Sequence, residues 1–338
     1  MFISLVLIIL IIVSLRVSRN TDLLDQKRLL PIRGVLCILI VIHHVYREMP
    51  DTFNHWLIVY NNVGFWIVSM FFFFSGYGLS LSIEKKNNYL SKSFPSKKFY
   101  KILLPSLFIG FIYIVVYAYN GDFSFHRFLI LLRYGQCIPT SHWFIYVLFY
   151  QYIIFYICFK KVKRYPLLIY TLVTIISMLT LYILNYPTIW FKSTIFICIG
   201  MLYFSYIKKG LRSNLCNDLR YSLYIILCCS IIFISTAILL KDISILKVFG
   251  NISISLLILF IFLQLSKHFV INNLILNYLG KNSMFIYLIH QPILDICKYL
   301  NKGYCINSEL LLIIILFITY ILASICNNIM KKIENIVR

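Results

Sequence analysis

Apolar runs of roughly twenty residues recur along this chain, separated by short polar connections, and that recurrence dictates the fold class. At about 1.5 Å per residue, such a run crosses the roughly 30 Å hydrocarbon core of a bilayer as one α-helix. The runs fall at 2–17, 29–47, 61–83, 102–119, 142–159, 165–184, 188–206, 221–240, 244–265, 276–297 and 308–328. The sequence therefore predicts an all-α polytopic membrane protein with about eleven transmembrane helices. Composition agrees, because 61% of the 338 residues are hydrophobic and 13% are charged. A soluble globule is about half apolar and a quarter charged, and this chain has too little polar surface to cover an aqueous core. A cell membrane, plasma or inner, is the expected location.

The net charge of +21 has its explanation in the positive-inside rule, by which Lys and Arg collect in cytoplasmic connections. Basic connections follow the first, third, fifth and seventh runs, beginning with Arg16, Arg19, Lys27 and Arg28. They alternate with basic-poor stretches at 48–60, 120–141, 185–187 and 241–243. This phase predicts an amino terminus outside and a cytoplasmic carboxyl terminus with Lys331, Lys332 and Arg338. It weakens late in the chain, where 266–275 holds Lys267 but 298–307 holds Lys298 and Lys302. No basic residue precedes the first run and no small-x-small site follows it, so it reads as a retained anchor. Residues 1–28 are then an anchor and basic linker, 29–330 the membrane domain, and 331–338 a basic tail. Nucleic acid is not an expected partner, since no basic-aromatic module or zinc-finger spacing is present. The ten cysteines show no CxxC pair, so neither a metal site nor a disulfide framework is indicated. Cys137 and Cys305 fall in segments expected outside, where a bridge between them is open.

Ionisable groups inside a bilayer are costly and mark candidate sites. Arg33 and His44 stand eleven residues apart in the second run. In a helix they share one face, about 16 Å apart along the axis, with His43 about 80° away. One helix thus carries a fixed cation and a titratable imidazole on a single stripe. The plain alternative is that Arg33 snorkels to lipid phosphates while His44 sits at the interface.

Four stretches, in order, resemble the acyltransferase-3 family of bacterial membrane acyltransferases, which includes O-antigen, capsule and peptidoglycan O-acetylases. Arg33 with ten residues before His44 is similar to its arginine–x10–histidine signature. Phe71 to Tyr77, reading FFFFSGY, is similar to its FFxxSG(F/Y) helix. Lys97-Lys98-Phe99-Tyr100-Lys101 with Pro105 resembles its basic RxxR–proline motif, with lysines in place of arginines. Leu279-Gly280-Lys281-Asn282-Ser283, continuing through Tyr287-Leu288-Ile289-His290-Gln291-Pro292, resembles its LGxxSxxxYLxHxP. His142-Trp143-Phe144-Ile145 is a weaker fifth match, and Leu148 and Phe149 stand where some members carry acidic residues. The family core has ten helices, which leaves the first run as an added anchor.

The resemblance implies transfer of an acyl group, usually acetyl, from cytoplasmic acyl-CoA to a carbohydrate hydroxyl, with no metal. It implies that His44 is essential, as general base or as acyl carrier, and that Arg33 contacts the donor. Lys98 and Lys101 would join Arg33 in binding the CoA phosphates. Trp143, Tyr287 and His290 are candidates for the acceptor, a cell-envelope carbohydrate or glycolipid. Tyr287 and His290 share a helical face with Asp295 beyond them, equally readable as a structural polar cluster, and Trp143 also suits an aromatic belt. Ser75-Gly76 reads as a close-packing site, and Gly280-Lys281 as a helix-start turn. Membrane lipid is an expected partner, and a separate extracytoplasmic transferase could complete the reaction. A transporter or export factor for polysaccharide or lipid-linked sugar is the competing class. No internal repeat of the kind common in transporters is visible. A membrane sensor that binds without turnover is the third.

Overall fold

The computed structural model describes residues 2–17, 26–49, 60, 63–86, 88–91, 93–119, 124–126, 129, 142–208, 244–301 and 308–337. The helices are α1 (Phe2–Ser14), α2 (Gln26–Glu48), α3 (Val63–Lys85), α4 (Phe94–Lys98), α5 (Leu104–Tyr119) and α6 (Trp143–Lys161). They continue with α7 (Pro166–Ile183), α8 (Ile195–Leu202), α9 (Ser244–His268), α10 (Leu274–Lys281), α11 (Ser283–Asn301) and α12 (Ser308–Val337). Seven described segments are long and apolar enough to cross a membrane. They are α2, α3, the continuous Phe94–Val115, α6, α7, the Thr188–Ser205 segment containing α8, and α12. The expected run at 221–240 lies outside the described residues.

Side-chain placement follows the demand of a hydrocarbon solvent. On the outer faces of α5 and α7, Phe111, Leu168, Ile176 and Leu179 are each more than half exposed. Inside, Tyr170 donates its hydroxyl to Gln151 Oε1 at 2.9 Å, and Thr174 donates to the same oxygen at 3.2 Å. These three polar groups pair with one another while apolar ones face outward, because lipid cannot satisfy a hydrogen bond. The Phe-rich stretch of α3 fills the centre, with Phe72, Phe73 and Phe74 all buried.

Two helix pairs approach backbone to backbone. A Cβ on Gly34 of α2 would meet the Leu276 carbonyl of α10, and one on Gly280 of α10 would meet the Leu30 carbonyl of α2. Gly76 of α3 and Gly200 of α8 make the same reciprocal contact, against Ile197 and Phe73. Gly76 of the Ser75-Gly76 pair therefore close-packs as expected.

Three expectations are corrected. The first run does not continue as helix to residue 17: α1 stops at Ser14, and β1 (Leu15–Val17) pairs antiparallel with β2 (Phe269–Ile271). Asn272 N–H donates to the Ser14 carbonyl at 2.9 Å, and the Asn273 amide donates to Ser14 Oγ at 3.0 Å, so the helix end is satisfied by chain 258 residues away in register. The pairing holds the two connections at one end of the bundle. The run at 276–297 is two helices broken at Asn282, and Gly280-Lys281 ends α10 rather than starting a helix. Asn273 caps α10 by accepting from Leu276 N–H at 3.1 Å, the role its extended backbone and short amide suit. Finally, α12 runs on to Val337, so Lys331 and Lys332 ride its last turns.

The glycine contacts make a differential prediction. Gly34→Ala or Gly280→Ala forces α2 and α10 apart, an overpacking that costs about 1–3 kcal/mol. Gly78 meets nothing within 4 Å, so Gly78→Ala leaves stability unchanged or raises it by up to about 1 kcal/mol. Thermal unfolding in detergent checks the pair; equal melting temperatures for all three variants would contradict the packing account.

Candidate active site

The α2 helix is unbroken from Gln26 to Glu48, so Arg33 and His44 do share one stripe about 16 Å apart. Each anchors a separate polar cluster.

At the His44 level four histidines converge, and hydrogen bonding sorts them. His43 Nδ1 lies 2.7 Å from the Tyr60 carbonyl oxygen. His142 Nε2 lies 3.2 Å from the Leu288 carbonyl oxygen, and its Nδ1 lies 3.1 Å from Ser106 Oγ. A carbonyl oxygen only accepts, so His43 donates through Nδ1 and His142 through Nε2, leaving His142 Nδ1 to accept from the serine hydroxyl. Both nitrogens of His142 are thereby occupied, and its place is structural. His290 Nδ1 donates to the Ile286 carbonyl at 3.2 Å, while its Nε2 is buried and has no hydrogen-bond partner. His44 is half-buried. Among the described residues it is held by ring contacts alone, to His43 at 5.0 Å and His290 at 4.9 Å between centroids. His44 thus has both nitrogens open, while His43 and His290 each keep Nε2 free of a hydrogen bond.

The surroundings of this pair are aromatic. Tyr287 is buried and packs on His290 at 5.6 Å and on Phe144 at 5.2 Å. Phe144 touches Phe72 of α3, and Trp143 borders Phe144 at 6.2 Å. Farther along α11, Asp295 accepts from the Tyr113 hydroxyl and from Gln291 Nε2 at 3.4 Å. Lys298 pairs with Glu48 at 3.4 Å, pinning α11 to the end of α2. Asp295 therefore belongs to a structural polar cluster.

At the other level, Arg33 is half-buried among the helices, with Tyr152 and Cys37 as its electrostatic neighbours. No carboxylate pairs with it among the described residues. Ser75 neighbours the Tyr152 hydroxyl, and Lys98 Nζ stands 4.2 Å over the Tyr152 ring. Arg33, Ser75, Lys98 and Tyr152 therefore meet from four elements. Lys101 lies within electrostatic reach of Lys98 but on the surface. A π-helical turn at Phe99–Leu103 changes the phase after Lys98, and Lys101 is exposed. Such turns recur at functional sites because they re-aim side chains. Between the two levels the stripe is closed, with Cys37 and Ile40 each 1% exposed.

The sequence motifs quoted above meet here from across the chain. Tyr152 was missed, being one of 26 tyrosines in an apolar helix with no flanking motif. His142 was visible only as the edge of a weak match, without a role. Chemically, the His44 level offers an open imidazole to carry a proton or an acyl group. The Arg33 level offers two cations, Arg33 and Lys98, for an anionic ligand.

A family model described as an acyltransferase domain matches residues 32–327. The match covers α2 through most of α12, and with them Arg33, His44, Lys98, Tyr152 and His290. No curated protein and no solved structure matches the chain. On that coverage the chain belongs to the acyltransferase-3 family of membrane acyltransferases.

Proposed function

We propose that this acyltransferase moves an acyl group, acetyl in the simplest case, from acyl-CoA to a hydroxyl of a cell-envelope carbohydrate or glycolipid. The observation that carries the reading is the pair of clusters on α2: an uncompensated guanidinium with an inward-turned lysine at one level, and an open imidazole at the other.

In this reading the CoA phosphates lie against Arg33 and Lys98 at the basic, cytoplasmic end, where charge-assisted hydrogen bonds suit them. The pantetheine arm then runs about 16 Å along α2 to bring the thioester to His44. It parts Cys37 and Ile40 on the way. The acceptor arrives from the opposite side and lies by Trp143 and Tyr287. As the acceptor oxygen attacks the thioester carbonyl, His44 takes its proton. The tetrahedral intermediate collapses, the carbon–sulfur bond breaks, and the proton on His44 passes to the leaving thiolate. The same imidazole also suits a two-step route, in which it attacks first and is then acylated.

Two measurements follow, both on purified protein with radiolabelled acetyl-CoA and envelope glycan. His44→Ala is expected to lower transfer by at least about 10²–10⁴-fold with an unchanged melting temperature; substantial residual transfer would remove His44 from the chemistry. Arg33→Gln is expected to raise the KM for acyl-CoA by roughly 10–100-fold, the worth of about 1.5–3 kcal/mol for bonds to a charged group. Lys98→Gln acts in the same direction, and Lys101→Gln changes KM little. Equal effects of the two lysine variants would contradict the phase change between them.

A further inference from the structure

We infer that His290 is a positioning residue for His44: its Nε2 accepts the N–H of the His44 ring and so leaves the opposite His44 nitrogen unprotonated for the reaction. The inference rests on the acyl-transfer reading above and adds a partner to its base.

One hydrogen bond fixes the His290 tautomer. Its Nδ1 lies 3.2 Å from the Ile286 carbonyl oxygen, one helical turn back. A carbonyl has no proton to give, so Nδ1 carries the hydrogen and the neutral ring leaves Nε2 as a bare acceptor. That atom is buried without a hydrogen-bond partner, on a side chain only 1% exposed. Buried acceptors are ordinarily satisfied, so an unsatisfied one calls for a donor within reach.

His44 fits that description. Its ring centroid is 4.9 Å from that of His290, with the planes inclined by 45°. A single N–H···N hydrogen bond of about 2.9–3.0 Å spans a ring separation of this size after a small rotation of the His44 side chain. Neither of the other rings nearby has an N–H to give: His142 donates its own to Leu288, and neutral His43 donates its own to Tyr60.

The proton inventory is consistent with this role. The groups facing the pair are His43 and Arg47 on α2, His142 at the start of α6, and Tyr287 on α11. No carboxylate is among them, and Asp295 is engaged by Tyr113 and Gln291. A neutral acceptor thus does for His44 what a carboxylate does for many catalytic histidines: it fixes the tautomer and supports the imidazolium that forms when the acceptor hydroxyl gives up its proton. No net proton is gained or lost at His290 during the cycle.

The test compares His290→Gln, which keeps an accepting oxygen, with His290→Leu, which keeps bulk and removes the acceptor. Steady-state transfer is measured across pH, with melting temperature as the folding control. Expected for His290→Leu is a fall in kcat of about 10²-fold or more, with the KM for acceptor little changed. Its acid limb moves to lower pH, because loss of the acceptor destabilises the His44 imidazolium. His290→Gln is expected to keep kcat within about tenfold of wild type. Equal kcat for the two variants, whether both high or both low in folded protein, overturns the inference. So does a loss confined to the acceptor KM, which would make His290 an acceptor contact. Absence of transfer by the wild-type protein sinks the acyl-transfer reading itself, a result separate from either.

Discussion

The contact on which the site depends is the backbone approach of α2 and α10. Gly34 lies against the Leu276 carbonyl while Gly280 lies against the Leu30 carbonyl, so the two helices are locked in register at two points. Neither residue tolerates a Cβ, and small residues are what membrane helices use where van der Waals contact rather than water expulsion drives association. The break at Asn282 follows directly after this lock. It turns the chain into α11, whose eighth residue is His290. A fixed α10 therefore sets where α11 begins, and α11 delivers His290 to the His44 of the same helix α2 that α10 grips. The Lys298–Glu48 pair closes the far end. Residues 246 apart in sequence thus meet because their helices are held at both ends.

Several interior polar residues bond one another and form a scaffold around the site. Tyr170 and Thr174 both donate to Gln151, Asp295 accepts from Tyr113 and Gln291, and His142 uses both nitrogens. A low-dielectric interior makes such networks rigid. At the site itself the His44 and His290 imidazoles keep nitrogens free, and Arg33 neighbours Tyr152, whose ring lies under Lys98. They are arranged along α2 with a closed stretch at Cys37 and Ile40 between them. A donor that binds at one level and reacts at the other must open that stretch.

Much of this was legible in the sequence because helix periodicity is strict. The eleven-residue spacing of Arg33 and His44 places them on one face in any α-helix, and the structure keeps that helix whole. The glycine of the FFFFSGY stretch read correctly as a packing position. What was not legible depends on partners distant in the chain. Nothing near Tyr152 announces that Lys98 lies over its ring. The Ser14 carbonyl ends α1 because Asn272 reaches it, a contact invisible to a count of apolar residues. Lys98 and Lys101 would share a face in a regular helix, and a π turn separates them. The run at 276–297 is apolar enough to read as one span, and only the Gly280–Leu30 approach and the capping of α10 by Asn273 explain its division. The count of eleven rests in part on residues 209–243, outside the described structure, and seven described segments meet the length and apolarity of a span.

The most direct test is a structure of the protein bound to a thioether analogue of acetyl-CoA, which cannot transfer its group. The account predicts phosphate oxygens within hydrogen-bond reach of Arg33 and Lys98, the pantetheine arm between displaced Cys37 and Ile40 side chains, and the acyl carbon beside the His44 ring. An analogue whose acyl carbon lies far from His44, or whose phosphates contact neither Arg33 nor Lys98, would contradict it.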